Sequence, residues 1–265
     1  MNLSQIAKIL DGELVGLDAG ISSFSTDTRA LAEGDMFIAL SGPNFDANNF
    51  VAIAAEAGAT AALVSRVDPS AGIPQVLVPD TFVALGRLAK AWREQFSLTR
   101  VAITGSAGKT TTKEMVASIF EGMGPTLATL GNKNNEIGVP LTLLRLSEAH
   151  RFGVFELGAN HKGEIAYTSD LVAPHAAVIT NVGTAHLEGF GSRRGISEAK
   201  GEIYGGLESE GIAVINHDDE FAPYWRELAH EHSQIEFSLS SPKAVHASDV
   251  RMGVNHAWAF VLHVG

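Results

Sequence analysis

Residues 101 to 112, VAITGSAGKTTT, join a short apolar run to two glycines, a lysine and three threonines. That combination suits the holding of nucleotide phosphates. Gly105 and Gly108, with Ser106 and Ala107 between them, let the backbone bend and approach a polyphosphate, while free N–H groups at a new helix start point toward the anion. Lys109 adds a point charge, Thr110 offers a hydroxyl to magnesium, and Thr111 continues the first turn. The spacing is the short G-x-x-G-K-T; the longer G-x-x-x-x-G-K-[ST] would need glycine where Ile103 stands. Such a string could also be an ordinary strand-to-helix turn. The apolar run before it and the amphipathic stretch after it favour the phosphate reading.

Other chemistry-bearing residues follow apolar runs. Glu156, in FGVFELGANHKGEI, is placed either to ligate magnesium, a hard cation that takes carboxylate oxygens, or to cap a neighbouring helix. His161, five residues on, reads as a surface or helix-start histidine, with ligand contact as the alternative. His186 lies in TNVGTAHLEGFGS, where it could bind metal, meet phosphate, or be a loop histidine satisfied by backbone groups. Lys200, in ISEAKGEIYGGL, reads on residue type alone as a solvated charge on a helix. Asn134 and Asn135, in GNKNNEIGVPLTLLRL, have the character of turn and cap residues.

These residues need a scaffold, and the pattern predicts an α/β fold in two domains, 1–80 and 81–265. In the first, strands at MFIAL, AALVS and QVLV alternate with alanine-rich helical stretches. Pro79-Asp80 marks a turn before a helix in which Phe82, Leu85, Leu88, Ala89, Trp92 and Phe96 recur at helical spacing; the boundary is placed before it. In the second, the runs Val101–Ile103, Gly153–Phe155, Ala176–Ile179 and Ile212–Ile215 have the near-continuous hydrophobicity of strands covered on both faces. A parallel sheet with right-handed crossovers would bring all four polar ends, including Asn216 and Asp218, to one edge. The helix after the glycine turn would bury Met115, Val116, Ile119, Phe120 and Met123. From Gln234 onward, strand-like segments without helices predict an antiparallel extension, which stops at Gly265 as if cut short.

Composition bounds the function. The 265 residues contain no cysteine, which excludes disulfides, thiolate metal sites and cysteine nucleophiles. A net charge of −11 offers no broad basic face for nucleic acid. There is no apolar run of bilayer-spanning length, and the polar start MNLSQIAKILDGEL is unlike a signal peptide. A cytoplasmic protein is expected.

Taken together, STDTRALAEGDMFIALSG, TGSAGKTTTKEM, GNKNNEIGVPLTLL, ELGANHKGEI, NVGTAHLEGFGS and EAKGEI resemble the Mur ligases, ATP-dependent amide-forming enzymes of peptidoglycan synthesis. ELGANHKGEI and NNEIGVP resemble the branch that joins D-alanyl-D-alanine to UDP-N-acetylmuramoyl-tripeptide. The resemblance implies a small N-terminal α/β UDP-binding domain, a P-loop central domain, ATP and Mg2+ as cofactors, and a monomer without nucleic-acid or membrane partners. It implies that Lys109 neutralises the β/γ-phosphates, that Thr110 and Glu156 hold a first magnesium and His186 a second, and that Lys200 becomes a carbamate, an anionic ligand. Asn216 and Asp218 would lie on the adenine side. Ser25, Thr26, Asp27 and Arg29 would receive the UDP end, with Asn134, Asn135 and His161 toward the muramoyl-peptide. Asn48, in DANNF, stands where the family commonly has histidine in D-G-H-x-F. Arg193-Arg194 is unusually basic for its loop. Mur ligases also have a third, Rossmann-like domain, to which no residue here corresponds; a molecule ending at Gly265 is expected to bind the UDP substrate, or nucleotide weakly, without efficient ligation. A folylpolyglutamate synthetase-like ligase and a nucleotide-binding module without catalysis are the alternatives.

Overall fold

The structure is a computed structural model and describes residues 1–42, 45–184, 187–253 and 257–265. Contacts divide the chain into two compact units, Met1–Ser97 with Pro140–Glu148, and Leu98–Val139 with Ala149–Gly265.

The first unit contains α1 (Leu3–Leu10), β1 (Glu13–Val15), β2 (Ser23–Ser25), β3 (Asp35–Ile38), the short hairpin β4 (Ser41–Gly42) and β5 (Phe45–Asp46), α2 (Val51–Glu56), β6 (Ala61–Val64), β7 (Gln75–Leu77) and α3 (Thr81–Arg93). Its five-stranded sheet runs β1-β7-β6-β3-β2, parallel except for β1 against β7. Fully buried β3 and β6 carry Phe37, Ala62 and Val64 into a core with Val51 and Ala54 of α2. Asp80 caps α3 as the Pro-Asp signal predicts, accepting from the Phe82 and Val83 amides. The division nevertheless falls at 97/98 rather than 80/81. Three contacts tie α3 to this unit: Thr81 Oγ1 donates to the Ala39 carbonyl (2.9 Å), Arg87 donates to the Ile9 carbonyl (2.7 Å), and Trp92 packs edge-on against Phe24 (5.1 Å).

The second unit contains β8 (Thr99–Thr104), α4 (Lys109–Glu121), β9 (Thr126–Ala128), the start of α5 (Gly138–Leu143), β10 (Phe152–Glu156), α6 (Glu164–Val172), β11 (Ala176–Ile179), α7 (Leu187–Phe190), α8 (Arg193–Gly201), β12 (Ile212–Asn216), α9 (Ala222–Leu228), β13 (Ser233–Ser238), β14 (Val245–Met252) and β15 (Trp258–Val264). Its sheet has the order β15-β14-β13-β12-β11-β8-β10-β9. From β9 to β13 every pairing is parallel, so the carboxyl ends that carry the glycine turn, Glu156, Thr180-Asn181 and Asn216 share one edge, as expected. The predicted extension from Gln234 is corrected in part. β13 continues the parallel run and touches β14 through a short parallel pairing; only β14 and β15 are antiparallel. The helix α9 before β13 supplies the crossover that parallel pairing needs.

Helix α4 also differs from expectation. It turns Lys113, Val116, Ala117 and Phe120 toward the sheet and leaves Met115 and Ile119 exposed, as is Met123 just past its end. The buried stripe has i, i+3, i+4, i+7 spacing, and Ala117 lets the helix approach Val101, Ile103 and Val154.

Candidate active site

The glycine turn joins β8 to α4. Gly105 has φ +150° and Gly108 φ +80°, both in the region that favours glycine. Gly108 caps α4 without any side-chain cap bond, and the first helical backbone bond runs from the Thr112 amide to the Gly108 carbonyl (2.9 Å). The amides of the first turn, with those of Lys109, Thr110 and Thr111 among them, therefore have no partner inside the helix, the condition for anion binding. The Lys109 ammonium donates to the Gly105 carbonyl at 2.8 Å. The preceding loop is clamped by the end of β11. Asn181 accepts from the Ser106 amide through its carbonyl (2.9 Å) and from the Ala107 amide through Oδ1 (3.1 Å), while Thr180 Oγ1 and Asn181 Nδ2 donate to the Ala107 carbonyl.

Glu156 ends β10 and is only 2% exposed. Thr110 Oγ1 donates to its Oε2 (2.9 Å) and Asn134 Nδ2 to its Oε1 (2.8 Å), which brings three predicted residues together. A buried carboxylate beside a threonine hydroxyl at a phosphate-binding turn is a hard-oxygen donor set. It fits magnesium, which takes one or two carboxylates plus phosphate oxygens. Among the described residues no group of three or more His, Asp and Glu side chains forms a protein-only metal cage. Asn135 has the cap role: its Oδ1 accepts from the Gly138 amide at 2.8 Å. His186 lies outside the described residues.

Lys200, near the end of α8, is 3% exposed, which overturns its reading as a solvated charge. Burial, and secondarily the charge of Lys109, lower its pKa to about 8. Two carboxylates on either side of it tie α8 to the start of α6. Glu198 pairs with Lys162 (2.6 Å), and Glu202 accepts from the Gly163 and Ala166 amides, supplying the cap that Gly163 lacks. The neighbouring His161 is exposed, its Nδ1 2.9 Å from Glu164 Oε1. Arg193 and Arg194 meet protein groups: Arg193 donates to the Val182 carbonyl and pairs with Glu220, while Arg194 pairs with Glu198 and stacks over Tyr224.

Asn216 and Asp218 brace the same edge. Asn216 donates to the Thr180 carbonyl (2.8 Å) and accepts from the Asp218 amide. The Asp218 carboxylate is engaged by Ser238, Ser240 and the Leu239 amide.

In the first unit, a cavity of about 390 Å³ is lined by Thr26, Asp27, Thr28, Arg29, Phe37, Phe45 and Phe50. Arg29 grips Asp27 through two bonds of 2.8 and 2.7 Å, the main cause of an Asp27 pKa lowered to about 2. Ser25 Oγ accepts from the Asp27 amide and shapes the turn. Phe45 and Phe50 stack with centroids 5.5 Å apart, an aromatic wall that sequence reasoning missed although both rings stand in NFDANNF. Asn48 does not line this cavity; it is buried, with its amide engaged by Ser41, Asp46, Ser65 and the Ser65 backbone.

Residues 103–259, which hold the glycine turn, Glu156, Lys200 and Asn216, match the family described as the Mur ligase middle domain. The chain belongs to the Mur ligase family. Among its relatives, the UDP-N-acetylmuramoyl-tripeptide–D-alanyl-D-alanine ligase of Escherichia coli (strain K12) is 49% identical over 228 residues, 86% of this chain and 50% of that protein. A crystal structure of MurF from Acinetobacter baumannii superposes with TM-score 0.91 at 42% identity, over 98% of this Mur ligase chain and 58% of that one. MurF ligase from Thermotoga maritima in complex with ADP gives TM-score 0.79 at 30% identity, over 92% and 58%. The chain spans about half the length of the curated relatives it matches.

Proposed function

We propose that this chain supplies the UDP-substrate-binding and ATP-binding parts of a MurF-type ligase, which joins D-alanyl-D-alanine to UDP-N-acetylmuramoyl-tripeptide. One observation carries the reading: Thr110 and Asn134 both reach the buried Glu156 carboxylate at a helix start that has free amides and Lys109. The relatives' names supply the substrates, and the ADP held by the Thermotoga maritima protein supports ATP.

The tripeptide's terminal carboxylate attacks the γ-phosphate, forming a P–O bond as the bond to ADP breaks, and yields an acyl phosphate. The amine of D-alanyl-D-alanine then adds to the acyl carbon, and phosphate leaves through a tetrahedral intermediate. Two anions must meet, so the protein's part is positioning and charge neutralisation. The α4 amides and Lys109 receive the β/γ-phosphates. Thr110 and Glu156 would hold Mg2+, which when bound neutralises phosphate charge. With a pKa of about 8, about one Lys200 in ten is a neutral amine at pH 7, the form that combines with carbon dioxide to give a carbamate. Asp27, Arg29 and the Phe45–Phe50 wall would take the uridine end. His186 and His161 complete the proposed site, in a monomer acting in the cytoplasm. The net charge is −11, and among the described residues no helix is long and apolar enough to cross a membrane.

The test is ADP release with ATP, Mg2+, UDP-N-acetylmuramoyl-tripeptide and D-alanyl-D-alanine, each omitted in turn, alongside equilibrium binding of ATP and of the UDP substrate. Release that needs the tripeptide and rises with the dipeptide supports the assignment. Release indifferent to the dipeptide would sink it.

A further inference from the structure

Lys113 lies one turn beyond Thr110 on α4 and is 1% exposed, although a lysine ammonium is costly to bury without partners. Its Nζ donates to the Thr129 carbonyl (2.8 Å) and pairs with Glu114 Oε1 (2.6 Å). Thr129, also 1% exposed, follows β9, and its amide donates to the Val154 carbonyl of β10 (3.0 Å). Its hydroxyl faces the site: Thr129 Oγ1 accepts the Glu156 N–H at 3.0 Å. One residue is thus held from α4 by Lys113 and in turn holds the backbone of Glu156. The other end of Glu156, its carboxylate, meets Thr110 of the same helix. The result is a closed loop of contacts, Lys113–Thr129–Glu156–Thr110, and α4 supplies both its ends.

We propose that Lys113 is a positioning residue: through Thr129 it sets the spacing between the Thr110 hydroxyl and the Glu156 carboxylate, and so tunes the affinity of this pair for the magnesium that accompanies ATP. The inference rests on the reading of Thr110 and Glu156 as the metal-holding pair. Outer partners that orient metal ligands change metal affinity by about 10- to 100-fold when removed. A lysine that merely filled space would affect stability and all nucleotide binding alike.

The experiment measures ATP affinity, with a fluorescent ATP analogue, in excess Mg2+ and in EDTA, for the wild-type chain, Lys113→Met and Thr129→Val. Circular dichroism and thermal melting establish folding. Lys113→Met keeps the stem volume without the ammonium, and Thr129→Val removes the hydroxyl while leaving the carbonyl for Lys113. The wild-type ratio of the two affinities should fall about tenfold in each variant, with affinity in EDTA changed less than twofold. The double variant should do no worse than either single one, because both cut the same chain of contacts. A folded Lys113→Met that keeps the wild-type ratio, or loses both affinities equally, overturns the inference; if it does not fold, Thr129→Val decides by the same criterion. A wild-type chain whose ATP affinity ignores Mg2+ refutes the metal-pair reading, and this inference with it.

Discussion

Replacing Lys200 by methionine should make the folded chain more stable at neutral pH. The pKa of Lys200 lies at about 8 against an ordinary 10.5, with burial the main cause and Lys109 the second. At about 1.36 kcal/mol per unit, keeping the ammonium in place costs about 3 kcal/mol at pH 7; because Lys200 is 3% exposed, solvent screening takes little off that figure. Methionine matches the stem and carries no charge, the kind of exchange that relieves a buried ion. The folded pKa is the lower one, so between about pH 8 and about 10.5 the unfolded chain binds more protons and wild-type stability rises with pH. About 2 kcal/mol of the penalty is gone by pH 9.5. Urea unfolding of both proteins, in metal-free buffer depleted of carbon dioxide to keep the amine unmodified, gives the difference at pH 7.0 and 9.5. Lys200→Met should lead by about 3 kcal/mol at the lower pH and by about 1 at the higher. A difference that stays constant between the two pH values would refute the reasoning, because no other group separates the two proteins. The same variant should be unable to take up carbon dioxide, so stability and function would move in opposite directions.

Gly105→Ala should abolish ATP binding by titration calorimetry: a Cβ there would overlap Thr180 Oγ1, at a φ of +150° that costs side-chain-bearing residues about 1–3 kcal/mol. Asn181→Ala removes the side-chain contacts to the Ala107 amide and carbonyl. At about 1 kcal/mol per bond, ATP affinity should fall several-fold; tighter binding would mean that Asn181 competes with phosphate. Arg29→Ala should move the NMR titration midpoint of the Asp27 carboxyl up from about 2 toward the ordinary carboxylate range, since the Arg29 bond is the first cause of its depression. Because Asp27 has the depressed pKa of a paired acid, whatever it adds to stability is lost only as pH falls from near 4 to about 2, so exchanging Arg29 should leave the pH dependence of unfolding between 5 and 8 unaltered.

Much of the frame was legible because local signals agreed with the global fold. Asp80 announced the start of α3, four near-continuous apolar runs announced four parallel strands, two of them buried and two, β11 and β12, half-buried on one face, and each run ended in the polar residue that the sheet edge presents. The unit division was less legible. Trp92 and Arg87 decide it through contacts with Phe24 and with the carbonyls of Ile9 and Leu10, more than sixty residues away in the chain, and no window of sequence contains both partners. Helix α4 misled for a different reason. Met115, Ile119 and Met123 make the more apolar stripe, yet the helix must turn Thr110 toward Glu156, and that demand carries Lys113 inward.

The two buried lysines show where residue type stops being informative. A lysine on a helix is ordinarily a solvated charge, and neither ISEAKGEI nor TTTKEM marks the exception by hydropathy. What separates Lys113 and Lys200 is the kind of burial. Lys113 is buried with its ammonium 2.8 Å from a carbonyl and 2.6 Å from a carboxylate. Lys200 is buried beside a second lysine, and that arrangement favours losing the proton. One environment ties α4 to Thr129, and the other, by burial beside Lys109, weakens the hold of Lys200 on its proton. The distinction lies in the partners each ammonium meets across the fold, which is why it becomes readable only once β9, β10 and α8 are placed around the glycine turn.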